Sequence, residues 1–163
     1  MAATRSQHKS KSLILQSLKK AYPELVFKAG DVFMWSAREN TVYFPARSTK
    51  PTFPFSLLHE TGHALLGHKE FSSDLGLLKM ERDAWDKACE IAHEFDVEVP
   101  ADFVEECMDT YRDWLYARSL CPHCHQCGIQ TEKTTYSCVF CRHHWTVSES
   151  RLCRVTRRDV RIK

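Results

Sequence analysis

The residues best suited to chemistry lie in one stretch, Ser56-Leu57-Leu58-His59-Glu60-Thr61-Gly62-His63-Ala64-Leu65. On an α-helix two histidines four residues apart are rotated by only about 40° from one another, so both imidazoles can reach one cation. Glu60, between them, is badly placed as a third ligand from the same turn. It is well placed to hydrogen-bond a water on that cation and to take its proton as the water attacks a carbonyl. The expected chemistry is metal-assisted hydrolysis of a peptide bond. The flanks agree: Leu57, Leu58, Ala64, Leu65 and Leu66 are apolar, and Glu60 is the one charge between residues 56 and 66. Such a helix is buried against a core, where three polar groups without partners would be costly.

A tetrahedral site needs a further ligand. Ser72-Ser73-Asp74 offers a helix N-cap, and Leu78, Glu81, Ala84, Trp85, Ala88, Ile91, Ala92 and Phe95 follow at helical spacing. Glu81 falls on that apolar stripe, where a carboxylate needs a cation, and zinc at the two histidines would supply it. Asp74 and His68 are the alternatives. His68 lies five residues past His63, roughly 140° around the helix, and reads as a supporting or surface group unless the helix has already ended. Asp83, Asp86, Glu90 and Glu94 lie off the stripe and read as solvated charges.

A second cluster is made of thiols. Five of the eight cysteines fall between residues 121 and 141, as Cys121-Pro-His-Cys124-His-Gln-Cys127-Gly and Cys138-Val-Phe-Cys141. Two C-x-x-C knuckles joined by a loop are the signature of a zinc ribbon, whose metal needs four of the five thiolates. Pro122 favours Cys121 with Cys124. Gly128 favours Cys124 with Cys127, because the residue after a knuckle often needs positive φ. Cys124, Cys138 and Cys141 belong to either solution, and His123, His125, His143 and His144 are substitutes. This zinc would be structural, stapling a segment too small to fold by core burial. Cys89 and Cys107 lie in helical patterns and read as packed thiols, and Cys153 stands apart.

Other elements must position these groups. Leu13, Ile14, Leu15, Leu18 and Tyr22 predict a helix over about residues 7–21, stopped by Pro23. Leu25-Val26-Phe27, Val32-Phe33-Met34-Trp35 and Thr41-Val42-Tyr43-Phe44, separated by turns at Gly30-Asp31 and Glu39-Asn40, predict a small antiparallel sheet. An edge strand of it could pair with an extended peptide and lay its carbonyl over the metal. Pro45, Pro51 and Pro54 mark residues 45–54 as a loop, with the histidine helix starting at about Phe55 and ended by Gly67 and His68. After Pro100 a helix over 101–119 follows, and Tyr111, Tyr116 and His93 are the groups available to polarise an oxyanion. The fold class is α+β: a small antiparallel sheet on a helical core, then a zinc ribbon. The boundaries are residues 1–119 for the body, 120–150 for the ribbon and 151–163 for a basic tail.

His59-Glu60-Thr61-Gly62-His63, followed eighteen residues on by Glu81-Arg82-Asp83-Ala84, resembles the ImmA/IrrE family of minimal metallopeptidases over roughly residues 25–100. That family has H-E-x-G-H and then a helix opening with E-x-x-A. The resemblance implies a zincin-type core, a zinc completed by Glu81, and cleavage of a protein, often a regulator. Members commonly carry a polar residue four after the ligand glutamate, able to support a zinc histidine. Trp85 stands there in this chain, which leaves support to Asp86 or a backbone carbonyl. A metallopeptidase followed by a zinc ribbon also looks like the SprT group, which cuts proteins crosslinked to DNA. That group takes its third ligand from a later histidine, so Glu81 argues against it.

The 163 residues suffice for one domain, or one with a small appendage. The net charge of +2 conceals segregation: residues 1–20 carry five positive charges and no negative ones, 21–120 carry ten and eighteen, and 121–163 carry eight and three. The basic ribbon and tail, with Arg142, Arg151, Arg154, Arg157, Arg158, Arg161 and Lys163, could follow nucleic acid. Residues 1–12 are polar with no apolar core, and no run is long enough to cross a bilayer, so a cytoplasmic chain is expected. The expectation is a zinc endopeptidase with one catalytic and one structural Zn²⁺ and a protein or peptide substrate. The competing expectation is a nucleic-acid-binding or adaptor protein whose peptidase-like body is inactive.

Overall fold

The computed structural model describes residues 11–151 and 154–160, which form an α+β fold. Cys153, Arg161 and Lys163 lie outside the described residues, as does the start expected for the first helix. The elements run α1 (Lys11–Ala21), β1 (Val26–Gly30), β2 (Met34–Ser36), β3 (Thr41–Pro45), α2 (Phe53–Leu65), α3 (Asp74–Glu94), α4 (Ala101–Ser119), β4 (Ile129–Glu132), β5 (Thr135–Ser137), β6 (His144–Val147) and β7 (Arg157–Asp159). No helix among the described residues is long and apolar enough to cross a membrane.

The chain divides into two units. One comprises Met1–Glu70 and Met80–Val104, the other Phe71–Lys79 and Glu105–Lys163. Helix α3 therefore starts in the second and continues in the first, and α4 does the reverse.

In the first unit the three-stranded sheet has the order β1-β3-β2. β2 pairs antiparallel with β3, but β1 pairs with β3 in parallel, Val26 opposite Thr41 through Gly30 opposite Pro45. The expected antiparallel sheet is thus corrected to a mixed one. The most buried strand, with Thr41, Val42 and Phe44 inside, takes the centre, and the more exposed β1 and β2 become edges instead of closing a hairpin at Gly30-Asp31. Burial decides strand order here more than turn signals do.

Helix α2 begins at Phe53, two residues before the expected start. Pro54 sits in its first turn, where a missing N–H and a fixed φ cost nothing. Almost every side of α2 is buried, from Phe53 to Ala64. Thr61 tolerates that burial by donating its hydroxyl to the Leu57 carbonyl at 2.8 Å. Gly67, at φ +63°, ends the helix. At the start of α3 the Ser73 hydroxyl accepts the Gly76 N–H at 3.1 Å, the cap expected of that segment. Trp85, Ala88, Ile91 and Ala92 of α3 are buried, and Phe103 packs edge-on to Trp85 with 5.7 Å between ring centres.

In the second unit the sheet order is β4-β5-β6-β7, antiparallel throughout. β7 comes from residues expected to be a tail: Arg157, Arg158 and Asp159 pair with Val147, Thr146 and Trp145. Backbone pairing along an edge needs no apolar residues, so composition did not reveal it. Cys121, Tyr136, Cys138, Trp145 and Val147 form one small core, and Leu77, Trp114 and Leu115 form another. Arg118 is fully buried, its guanidinium 4.3 Å from the Trp114 ring centre. It donates to the Tyr136 hydroxyl at 3.2 Å and to the carbonyls of Lys133 and Ser148 at 2.8 and 3.3 Å.

Candidate metal centres

His59, Glu60 and His63 project from α2, and Glu81 comes from the third turn of α3. What lets the two helices meet is Gly62: a Cβ there would lie 2.5 Å from the Ala84 carbonyl oxygen, so only glycine permits this approach. The Nε2 atoms of His59 and His63 are 3.1 Å apart, and the Glu81 Oε2 lies 3.1 Å from the first and 3.4 Å from the second. All three side chains are buried. A ligand atom from each falls within 4.8 Å of the others, so the trio could hold a metal ion. Burial pushes the Glu81 carboxyl up, but its hydrogen bonds to His59 and His63 and their charges outweigh that and hold it well below the usual carboxylate range. Two imidazoles thus do in part what a cation would do completely.

Glu60 is half-buried and stands outside the trio, its Oε2 accepting the backbone N–H of Trp35 in β2 at 2.7 Å. That N–H therefore points away from β3, along the free edge of the sheet. The Trp35 indole donates from Nε1 to the His68 carbonyl at 2.8 Å.

The two histidines are held in different ways. His63 Nδ1 faces His68 Nδ1 at 2.9 Å. For His63 Nε2 to offer a lone pair, its proton must sit on Nδ1 and be donated to His68. Burial, and then the neighbouring His63, keep His68 below the usual imidazole value and so neutral and able to accept. His68 can reach this place because α2 has already ended. His59 has no such partner: its Nδ1 is buried without a hydrogen bond, and its ring lies flat on Trp85 with centres 4.2 Å apart. Asp86, expected to support a histidine, is exposed. An indole face has taken the place of an acceptor.

Asp74, the other alternative for a third ligand, is engaged elsewhere: its carboxylate accepts the Tyr136 hydroxyl. His93 and Tyr116 are exposed, and the Tyr111 ring carries the Arg151 guanidinium at 3.3 Å.

Of the five clustered cysteines, Cys121, Cys124, Cys138 and Cys141 come together as a second group able to hold a metal ion, with Sγ separations of 3.6 Å for Cys121–Cys141 and 3.5 Å for Cys124–Cys138. Cys127 is exposed and lies outside the four, so its place among the candidate ligands is corrected. The two knuckles repeat one another. The His125 N–H bonds the Cys121 carbonyl and the Arg142 N–H the Cys138 carbonyl, both at 3.0 Å. His125 and Arg142 have φ of +60° and +61°, so positive φ after each knuckle does occur, but on residues other than glycine. Gly128 is small for another reason: a Cβ there would come within 2.3 Å of the Trp145 ring. Backbone N–H groups of Cys141 and then Phe140 draw the Cys138 thiol down to about 6.

Comparison with family models, with curated proteins and with solved structures yields no match to this chain.

Proposed function

We propose that the chain is a zinc-dependent endopeptidase in which His59, His63 and Glu81 hold a catalytic zinc and Glu60 is the general base. The observation that carries the reading is the spacing of the buried trio beside a carboxylate kept out of it. Ligands at 2.0–2.1 Å from a tetrahedral zinc stand about 3.3 Å apart, and the three donor atoms here stand 3.1–3.4 Å apart. A two-nitrogen, one-oxygen set leaves a fourth position open, as catalytic sites do. The metal, when bound, polarises the scissile carbonyl and makes water a nucleophile near neutral pH.

The rest falls to this chain's own residues. Glu60 takes the proton of the attacking water and passes it to the leaving amine. The Trp35 N–H holds the Glu60 carboxylate at 2.7 Å, and β2 is an edge strand, the kind of element beside which an extended substrate can lie. The four thiolates, which a tetrahedral zinc would space at about 3.8 Å, bind a structural zinc in a closed site with no open position.

Purified protein should carry two zinc ions per chain, falling to one in His59→Ala. Glu60→Gln should keep both and lose cleavage by roughly a hundredfold or more, as removal of a general base does. A Glu60→Gln chain that cut as fast as wild type would sink the mechanism.

A second reading keeps the structural zinc and gives the ribbon a nucleic-acid partner while the peptidase body is inactive. Exposed Phe140 and exposed Arg142, two residues apart at the second knuckle, favour it, because an aromatic face and a cation together suit single-stranded bases and phosphates. Binding of single-stranded DNA that falls steeply with salt and is lost in Phe140→Ala with Arg142→Ala, together with no proteolysis at full zinc loading, would favour this reading over the first.

A further inference from the structure

A cleft of about 770 Å³ opens beside Trp35 and His68, within the range of roughly 300–1,000 Å³ usual for ligand sites. Trp35, Arg38, His68, Lys69 and Glu70 line it together with the two residues between Trp35 and Arg38. Two of these touch the catalytic groups directly: the Trp35 N–H donates to Glu60, and His68 meets His63. The cleft is therefore bounded by two residues that also hold the groups proposed to cut a peptide bond.

Its charge is unlike its surroundings. Residues 21–120 carry ten positive and eighteen negative charges, so the body repels acidic chains in general. The cleft reverses that locally. Arg38 and Lys69 are exposed, and among the described residues neither side chain enters a hydrogen bond or ion pair. Glu70 is the one acid in the lining and is engaged in an interaction of its own. Two cations and one acid thus face the same open volume.

Resting on the peptidase reading, we infer that this cleft is a specificity subsite that selects an acidic group of the substrate through Arg38 and Lys69. Arg38 lies in the turn that follows β2, which ends at Ser36, so an acidic group held there is met past the end of the strand. That group is a carboxylate either of an Asp or Glu side chain or of the substrate's own C-terminus.

The test is binding, so that it does not depend on turnover. Zinc-loaded Glu60→Gln protein is titrated into fluorescein-labelled, unstructured decapeptides that differ only in Asp or Lys at the scanned position. The Asp peptide should bind roughly tenfold more tightly at low salt, with a margin that shrinks as salt rises. Arg38→Glu combined with Lys69→Glu, whose circular dichroism and zinc content should match the parent, should reverse the preference. Repeating the pair with amidated C-termini identifies the source: a preference that survives belongs to the side chain, and one that vanishes belongs to the terminus.

Equal affinities, no binding of either peptide, or a preference untouched by the double variant overturns the inference. So does single-stranded DNA that binds more tightly than the Asp peptide and loses its binding in the double variant. If wild type cuts peptides without regard to acidity, this inference alone fails. If it binds the acidic peptide yet cuts nothing at full zinc loading, only the peptidase reading fails.

Discussion

At the scale of single residues, the position that determines most is one with no side chain. Gly62 lets the backbone of α3 come close enough for Glu81 to meet two histidines on α2, with the Ala84 carbonyl only 2.5 Å from where a Cβ would stand. Gly62→Ala should therefore force the helices apart. We expect a loss of about 1–3 kcal/mol in urea unfolding, as for other overpacked cores, and, on the proposed reading, weaker retention of metal by His59, His63 and Glu81 against a chelator. An alanine variant with unchanged stability would mean that the helices are free to slide. The same scale shows what the sequence could and could not disclose. His59, His63 and Glu81 were legible because each is a polar group on an apolar stripe. Which four cysteines cluster was not, because Gly128 signalled a turn but serves Trp145, and the positive φ values fall on His125 and Arg142. Sequence alone does not decide between a supporting and a surface role for His68, since that depends on where α2 stops.

At the scale of elements, the start of α3 is fastened by polar groups. Asp74 accepts the Tyr136 hydroxyl, its backbone N–H donates to the Gln130 side chain at 2.9 Å, and Arg118 lies 3.4 Å from its carboxylate. Burial first, and then the bond to Asp74, push the Tyr136 phenol well above its usual value near 10. The sign follows. A raised phenol favours the neutral form in the folded state, so its contribution to stability is complete below pH 10 and is lost as pH rises through the raised value. In an ultraviolet absorbance titration of the five tyrosines, Tyr136 should ionise last, together with the loss of folded structure, and Tyr136→Phe should remove that late step. Ionisation of all five in one early phase would contradict it. The limits of α4 were readable from Pro100 and its apolar stripe, because helical contacts are local, whereas α2 takes Phe53 and Pro54 into its first turn ahead of the expected start. The sheet was not readable: a parallel β1–β3 pair is a long-range choice made by burial of β3, and turn residues carry no trace of it.

At the scale of the whole molecule, the charge segregation seen in the sequence and the two groups able to hold metal coexist with units that do not follow the linear boundary expected at residue 119. The second unit takes in Phe71–Lys79 as well as Glu105–Lys163. Within it, Arg118 finds its partners in Tyr136, Lys133 and Ser148, and Val155 packs on the Leu77, Trp114 and Leu115 cluster. A chain stopped after Ser119 should thus leave the Arg118 guanidinium with the Asp74 carboxylate alone and bare an apolar cluster. It should bind a hydrophobic dye and melt at a lower temperature than the full chain. A truncated chain that melted like the parent would show that the last 44 residues are a separable module.

The discontinuity of the second unit also limits how this chain could have been put together. A ribbon occupying one uninterrupted interval can be gained or lost by a single recombination event, like a cassette. Here the interval 71–79 lies inside what would be the host gene segment, and it opens the same helix that later presents Glu81. Exchange of the thiolate module between relatives would have to bring a fitting α3 start with it, so the two halves of the chain are expected to have diverged together.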